Sequence, residues 1–156
     1  MTPLIVEQSR AIPVTVDAAF DATLMAPLPE LMSHWYGPIP PIKAVREQSG
    51  SWGTPGQSRV LVLTGGGSAR EVLTTVERPE SFGYVLTEIH GPLAVLVGSV
   101  EGEWTFAPAG TGVSITWRWI IHPKSSFAVL LMPVFGRLWK GYARRALQRL
   151  STFLVG

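Results

Sequence analysis

The segment Tyr84-Val-Leu-Thr-Glu-Ile-His90 holds a phenol, a carboxylate and an imidazole at even spacing. On a β-strand side chains alternate between faces, so Tyr84, Leu86, Glu88 and His90 would share one side. Neighbours on such a face stand roughly 6–7 Å apart, which makes Glu88 and His90 an acid and a base within reach of one ligand. Tyr84 would add a third proton-exchanging group. Facing an apolar cavity, both titratable groups would be desolvated and their pKa values displaced, as proton-transfer sites require. The opposite register puts Val85, Thr87 and Ile89 inside and leaves Glu88 and His90 in water, where charged residues are usually found. Both registers stay open at this point.

Arg59, Arg70 and Glu71 fall on neighbouring strand segments. A buried Arg–Glu pair there could anchor a carboxylate or phenolate, but a solvated cross-strand pair worth under about 1 kcal/mol is the more common arrangement. His34, His90 and His122 are scattered and lack the spacing of a helical zinc motif, and with no cysteine in the chain no metal site is expected. No G-x-S-x-G elbow is present. Gly65-Gly66-Gly67 lacks the Lys-Ser/Thr of a P-loop and is followed by a strand, so it reads as a hairpin turn.

The elements that must position these residues follow from punctuation and period. Residues 4–16 read as a strand interrupted near Pro13. A helix follows after Asp17, ended by Pro27 and Pro29, and a short helical piece covers 29–34. From there to His122 runs of β-branched and aromatic residues alternate with Gly- and Pro-rich breaks, the pattern of about six strands. The clearest is Val113–His122, with Val113, Ile115, Trp117, Trp119 and Ile121 on one face. It pairs as a hairpin with the Trp104/Phe106 strand through 108–112. After Pro123, Phe135, Leu138, Trp139, Tyr142, Ala143, Ala146, Leu150 and Phe153 recur at three and four residues, an amphipathic helix of about five turns. Pro133 should kink or delay its start. Phe127–Phe135 is apolar on all sides, which implies burial on every face, a gate, or contact with a partner. An antiparallel sheet of about six to seven strands wrapped around one long C-terminal helix is an α+β architecture.

The order of elements and several local strings resemble the helix-grip fold of the START-like, or SRPBCC, superfamily, in its polyketide cyclase/dehydrase and lipid-transport branch. The strings are Glu7-Gln-Ser-Arg-Ala-Ile-Pro-Val-Thr-Val-Asp-Ala-Ala-Phe20, His34-Trp35, Gly53-Thr-Pro-Gly-Gln-Ser-Arg59, Arg70-Glu71-Val72 leading to Arg78-Pro-Glu-Ser-Phe-Gly-Tyr84, and Glu103-Trp-Thr-Phe-Ala-Pro-Ala-Gly-Thr-Gly112. They span roughly residues 4–154. The resemblance implies a deep apolar cavity between the concave sheet and the C-terminal helix, and no obligatory cofactor. It does not choose among the activities that one fold can host. Within such a fold Trp35, Trp104, Phe106, Trp117, Trp119, Phe135, Trp139 and Tyr142 are candidates to contact a ligand, although aromatic residues fill ordinary cores equally well.

Composition bounds the rest. The 156 residues fit one domain, taken as 1–156. With 46% hydrophobic and 15% charged residues the chain is too apolar to be disordered. Its formal charge of +2 hides a split: residues 104–156 carry seven basic groups and no acidic one. Five of the seven fall between Arg137 and Arg149 on the C-terminal helix. No nucleic-acid reading motif accompanies them, so they describe that helix's solvated side, with neither nucleic acid nor stable membrane insertion expected. The start of the chain does not read as a signal peptide, and a cytoplasmic location is the expectation. The leading functional expectation is a protein that binds a hydrophobic or aromatic small molecule, such as a lipid, polyketide or sterol-like compound. The alternatives are a cyclase, dehydratase or isomerase using Glu88, His90 and Tyr84, and a self-associating module, for instance a homodimer.

Overall fold

The computed structural model describes residues 1–48 and 50–156. Seven antiparallel strands form one sheet: β1 (Leu4–Ile12), β2 (Ile42–Arg46), β3 (Ser58–Leu63), β4 (Gly67–Glu77), β5 (Ser81–His90), β6 (Val97–Ala109) and β7 (Gly112–Pro123). Their order across the sheet is β1-β7-β6-β5-β4-β3-β2. Two short helices, α1 (Val16–Leu24) and α2 (Leu28–Leu31), connect β1 to β2, and α3 (Ser126–Val155) closes the chain. This is the helix-grip arrangement expected from the sequence, with seven strands.

The expected hairpin forms, with Ala109 paired to Gly112 and Trp104 directly across from Trp117. On β7 the buried side chains are Val113, Ile115, Trp117, Trp119 and Ile121, the face read from the two-residue period. That face looks onto α3.

Two helix boundaries differ from the sequence reading. Helix α1 starts at Val16, capped by the Thr15 hydroxyl, which accepts a hydrogen bond from the Ala18 amide at 3.2 Å. Threonine is a favoured cap, if a weaker one than aspartate, and with Thr15 capping, Asp17 falls in the first turn, where its charge complements the helix dipole. Helix α3 begins at Ser126, capped by Ser125, and runs through Pro133 for 30 residues. Pro133 is exposed, so the one backbone bond it forgoes costs little where water can reach the freed carbonyl.

The early start of α3 also settles the apolar segment. Phe127, Leu130, Leu131 and Val134 are exposed, while Ala128, Met132 and Phe135 turn to the core. Burial on every face is therefore not what the segment does. Farther along, Gly141 makes room for the ring of Tyr36, and Arg145 lies over that ring. Arg149 donates to the Leu31 carbonyl at 3.0 Å, so not every basic residue of the helix is simply solvated. No described helix is long and apolar enough to cross a membrane.

Candidate functional site

A cavity of about 80 Å³ lies between the sheet, α2 and α3. One water needs roughly 10–15 Å³ measured this way, so the interior has space for several waters or a small organic molecule. Its walls are mostly aliphatic: Leu28, Leu31, Ile39, Leu61, Leu86 and Ile89 are typical. Aromatic surface comes from Trp104, Trp117, Trp119 and Tyr142.

The aromatic wall is built by strand register. Trp104 and Trp117, paired across β6 and β7, stack with centroids 4.8 Å apart and planes 9° from parallel. Trp119, two residues along, meets Trp117 edge-on at 5.9 Å. Both indole N–H groups, of Trp117 and Trp119, donate to the Tyr84 hydroxyl, at 2.9 and 2.7 Å. Burial pushes the Tyr84 hydroxyl pKa well up, and the Glu71 carboxylate pushes it in the same direction. Tyr84 is therefore a neutral phenol at neutral pH.

The other polar wall is Arg59 and Glu71, directly paired across β3 and β4. The Arg59 Nε to Glu71 Oε1 distance is 2.5 Å and both side chains are buried. The solvated version of this pair is thus not what forms, because both residues fall on the inward phase of their strands. Arg59 is held on two further sides: its guanidinium lies 3.9 Å from the Trp52 ring centroid and donates to Gln48 Oε1 at 3.2 Å. Desolvation raises the Glu71 pKa and outweighs the lowering by Arg59. Arg70, by contrast, is partly exposed and pairs with Glu88 at 2.9 Å.

The expected trio of Tyr84, Glu88 and His90 does not assemble. Tyr84 and Leu86 face the cavity, but the β4–β5 pairing slips by one residue between Arg70↔Thr87 and Ser68↔His90. The extra residue is accommodated at Glu88, whose φ of 47° is in the left-handed region. A bulge of this kind reverses the phase of the strand beyond it. Ile89 turns inward, while Glu88 and His90 point to solvent. Neither uniform register holds along the whole strand, and the physical reason is this one inserted residue.

The ligand-contact candidates divide. Trp104, Trp117, Trp119 and Tyr142 line the cavity with Tyr84. Phe106 instead joins Phe20 and Phe82 in an aromatic cluster, with centroids 5.4 and 6.0 Å away. Trp139 is fully buried behind the wall, 5.2 and 5.6 Å from Trp117 and Trp119, and its Nε1 finds no acceptor among the described residues. Phe135 is buried in the core away from the cavity, and Trp35 is 53% exposed, near Gly65. The histidines are apart: His34 contacts Ser33, His122 pairs with Glu101, and no group of three metal-binding side chains converges among the described residues.

Sequence reasoning passed over Trp52, which sits in a Gly/Pro/Ser-rich loop with no period to mark it. It also passed over Thr23, whose buried hydroxyl reaches the cavity from α1 with no partner among the described residues. Gly102 was missed as well. It lies opposite Tyr84 and leaves the space that the phenol ring fills.

Several solved structures share the fold. Norcoclaurine synthase from Thalictrum flavum, solved in complex with dopamine and hydroxybenzaldehyde, is 15% identical and superposes with a TM-score of 0.72, covering 99% of this chain and 87% of that one. Ara h 8.0201 is 14% identical with a TM-score of 0.70, covering 98% of both chains. DynU16, from the dynemicin biosynthetic locus, is 16% identical with a TM-score of 0.61, and 96% of this chain spans only 46% of it. At such identities the likeness establishes the fold alone. No curated protein matches the sequence. A family model described as polyketide cyclase / dehydrase and lipid transport matches residues 3–154.

Proposed function

From a chain that belongs to the polyketide cyclase / dehydrase and lipid transport family, we propose a protein that encloses a small, uncharged, ring-containing molecule between its sheet and α3. The observation that carries this reading is the cavity itself, apolar on most sides and walled by Trp104, Trp117, Trp119 and Tyr142. Apolar lining with few polar groups is the usual composition of a small-molecule site. Its volume of about 80 Å³ narrows the expectation of a lipid or sterol. Pockets for drug-sized ligands run from roughly 300 Å³, so a compound of one or two rings fits best. The single-ring compounds held by norcoclaurine synthase in the same fold agree with that scale.

Native mass spectrometry of the purified protein, before and after organic extraction, tests the reading. A co-purifying mass that extraction removes supports it. A protein that carries no such mass and shows no heat on titration with any one-ring apolar compound would overturn it.

A second reading keeps the same cavity and adds catalysis. Burial raises the pKa of Glu71, and its carboxyl lines the same cavity as the Tyr84 hydroxyl, so the two could serve a carbonyl substrate as base and hydrogen-bond donor. The acid/base chemistry first expected of Glu88 and His90 moves to this pair. The step is transfer of a proton from the carbon beside the carbonyl to Glu71, with the enolate oxygen held by Tyr84. Hydrogen–deuterium exchange at the methyl group of acetophenone, accelerated by the protein and abolished in Glu71→Gln, is the expected result. Exchange at the buffer rate would remove the catalytic reading and leave the binding one.

A further inference from the structure

Buried polar groups in folded proteins almost always complete their hydrogen bonds. Around this cavity three keep unused hydrogen-bonding capacity among the described residues. The Tyr84 oxygen already accepts two indole N–H groups, which fills its acceptor capacity and leaves its own O–H to be donated. No described residue accepts that proton. Glu71 engages Arg59 through Oε1, and its second oxygen has no partner among the described residues. The Thr23 hydroxyl is buried with no partner among the described residues. The Tyr84, Glu71 and Thr23 side chains are at most 6% exposed and all line the same cavity.

The charges are arranged differently from the hydrogen bonds. Arg59 and Glu71 neutralise each other, and Arg59 is further occupied by Trp52 and Gln48. An incoming carboxylate or phenolate would have to displace Glu71 from Arg59 or remain an uncompensated charge in a dry interior, and either is costly. The pair therefore disfavours anions, where the sequence reading allowed it to anchor one.

We infer that the cavity is a recognition site for neutral aromatic carbonyl compounds bearing a hydroxyl group, with Tyr84 donating to the carbonyl oxygen and the free oxygen of Glu71 accepting from the hydroxyl. This rests on the small-molecule reading above and names the ligand chemistry within it. The carbonyl is required because Tyr84 has a proton to give and nothing left to accept with. The hydroxyl is required because an ion-paired carboxylate oxygen can only accept.

The test uses the full chain and four probes of similar size: toluene, acetophenone, 3-hydroxyacetophenone and benzoate. Calorimetric titration ranks them, and infrared difference spectroscopy reads the carbonyl stretch of bound acetophenone. The expected stretch lies below its value in hexane in the wild type, and returns toward that value in Tyr84→Phe. The hydroxylated ketone should bind about tenfold to 150-fold tighter than acetophenone, the range of one added hydrogen bond to a charged group. Benzoate should show no binding at concentrations that saturate toluene. If toluene and acetophenone bind but the carbonyl stretch in the wild type equals that in hexane, the recognition chemistry is wrong while the cavity reading stands. Benzoate binding as tightly as acetophenone also overturns it. If none of the four binds, both readings fail together. The spectrum of the wild type decides the matter even if Tyr84→Phe does not fold.

Discussion

Gly102 faces Tyr84 across the β5–β6 pairing, and the Tyr84 ring fills the volume that any side chain at position 102 would need. The close approach is what lets one phenol oxygen reach the indoles of both Trp117 and Trp119 on the far side of β6. Gly102→Ala should therefore act through Tyr84. The added methyl meets ring carbons in a packed wall, and overpacking of this kind costs about 1–3 kcal/mol. Loss of the shared acceptor would add to it. Urea unfolding should show a lowered midpoint, and the tryptophan emission of the folded protein should shift as two indole N–H groups lose their partner. An unchanged midpoint with unchanged emission would contradict this account of the wall.

The Arg59–Glu71 pair makes a sharper energetic test because its two partners are not equivalent to the pair. Removing one, as in Glu71→Leu, strands a buried guanidinium and should destabilise by roughly 3–5 kcal/mol. Replacing both, as Arg59→Met with Glu71→Leu, should recover most of that loss, since well-packed apolar substitutes for a buried pair are often neutral. Denaturation of the single and double variants measures the coupling. Additive losses would show that the two residues act separately. The double variant should also bind toluene while losing the preference for a hydroxylated ketone.

Two carboxyls give the stability opposite dependences on pH. The Arg78 guanidinium, bonded to both oxygens of Asp21 at 2.7 Å, lowers the Asp21 pKa from 3.8. Its stabilisation is present above that value and is lost as the pH falls through the lowered one. Glu71 behaves in reverse. Burial raises its pKa above 4.5, so between that value and the raised one the folded state keeps a proton that the unfolded chain has released, and above both the carboxylate is paired with Arg59. Stability from this group is present below 4.5 and declines as the pH rises through the folded value. Relative to Glu71→Gln, the wild type should gain stability as the pH drops from about 7 toward 4.5. Relative to Asp21→Asn, it should lose stability below about 4. Parallel pH profiles for the wild type and both variants would disprove the assignments.

Most of the fold was legible because its longest elements carry a clear period. The β7 alternation from Val113 to Ile121 and the three-and-four spacing from Phe135 to Phe153 admit one reading each. The aromatic half of the site followed from the same periods, since Trp104, Trp117, Trp119 and Tyr142 lie on inward faces. Trp139 lies on an inward face too, yet stands one layer behind the wall. Period places a residue on a side but not at a depth. The polar half was hidden for other reasons. Arg59 and Glu71 sit at inward positions, but burial of a charge depends on finding its partner, and their pairing is set by the β3–β4 register. No local signal reports that register. Glu88 failed for the most local reason of all: one inserted residue inverts the alternation on which the acid/base trio depended.

That inserted residue can be tested directly. Glu88 holds a positive φ that asparagine or glycine adopts more readily, while its exposed pair with Arg70 contributes under about 1 kcal/mol. Glu88→Asn should therefore change stability by less than about 1 kcal/mol in either direction, because relief of backbone strain offsets the lost ion pair. Deleting position 88 is another matter. It removes the bulge and the register slip but leaves Ile89 inward and His90 outward, because Thr87 and Ile89 then alternate regularly, so the shortened chain should keep the wild-type affinity for acetophenone. His90→Ala in the intact protein should likewise leave acetophenone affinity and proton exchange at their wild-type values. A loss of either in His90→Ala would show that this imidazole reaches the ligand after all and that the bulge does not hold in solution.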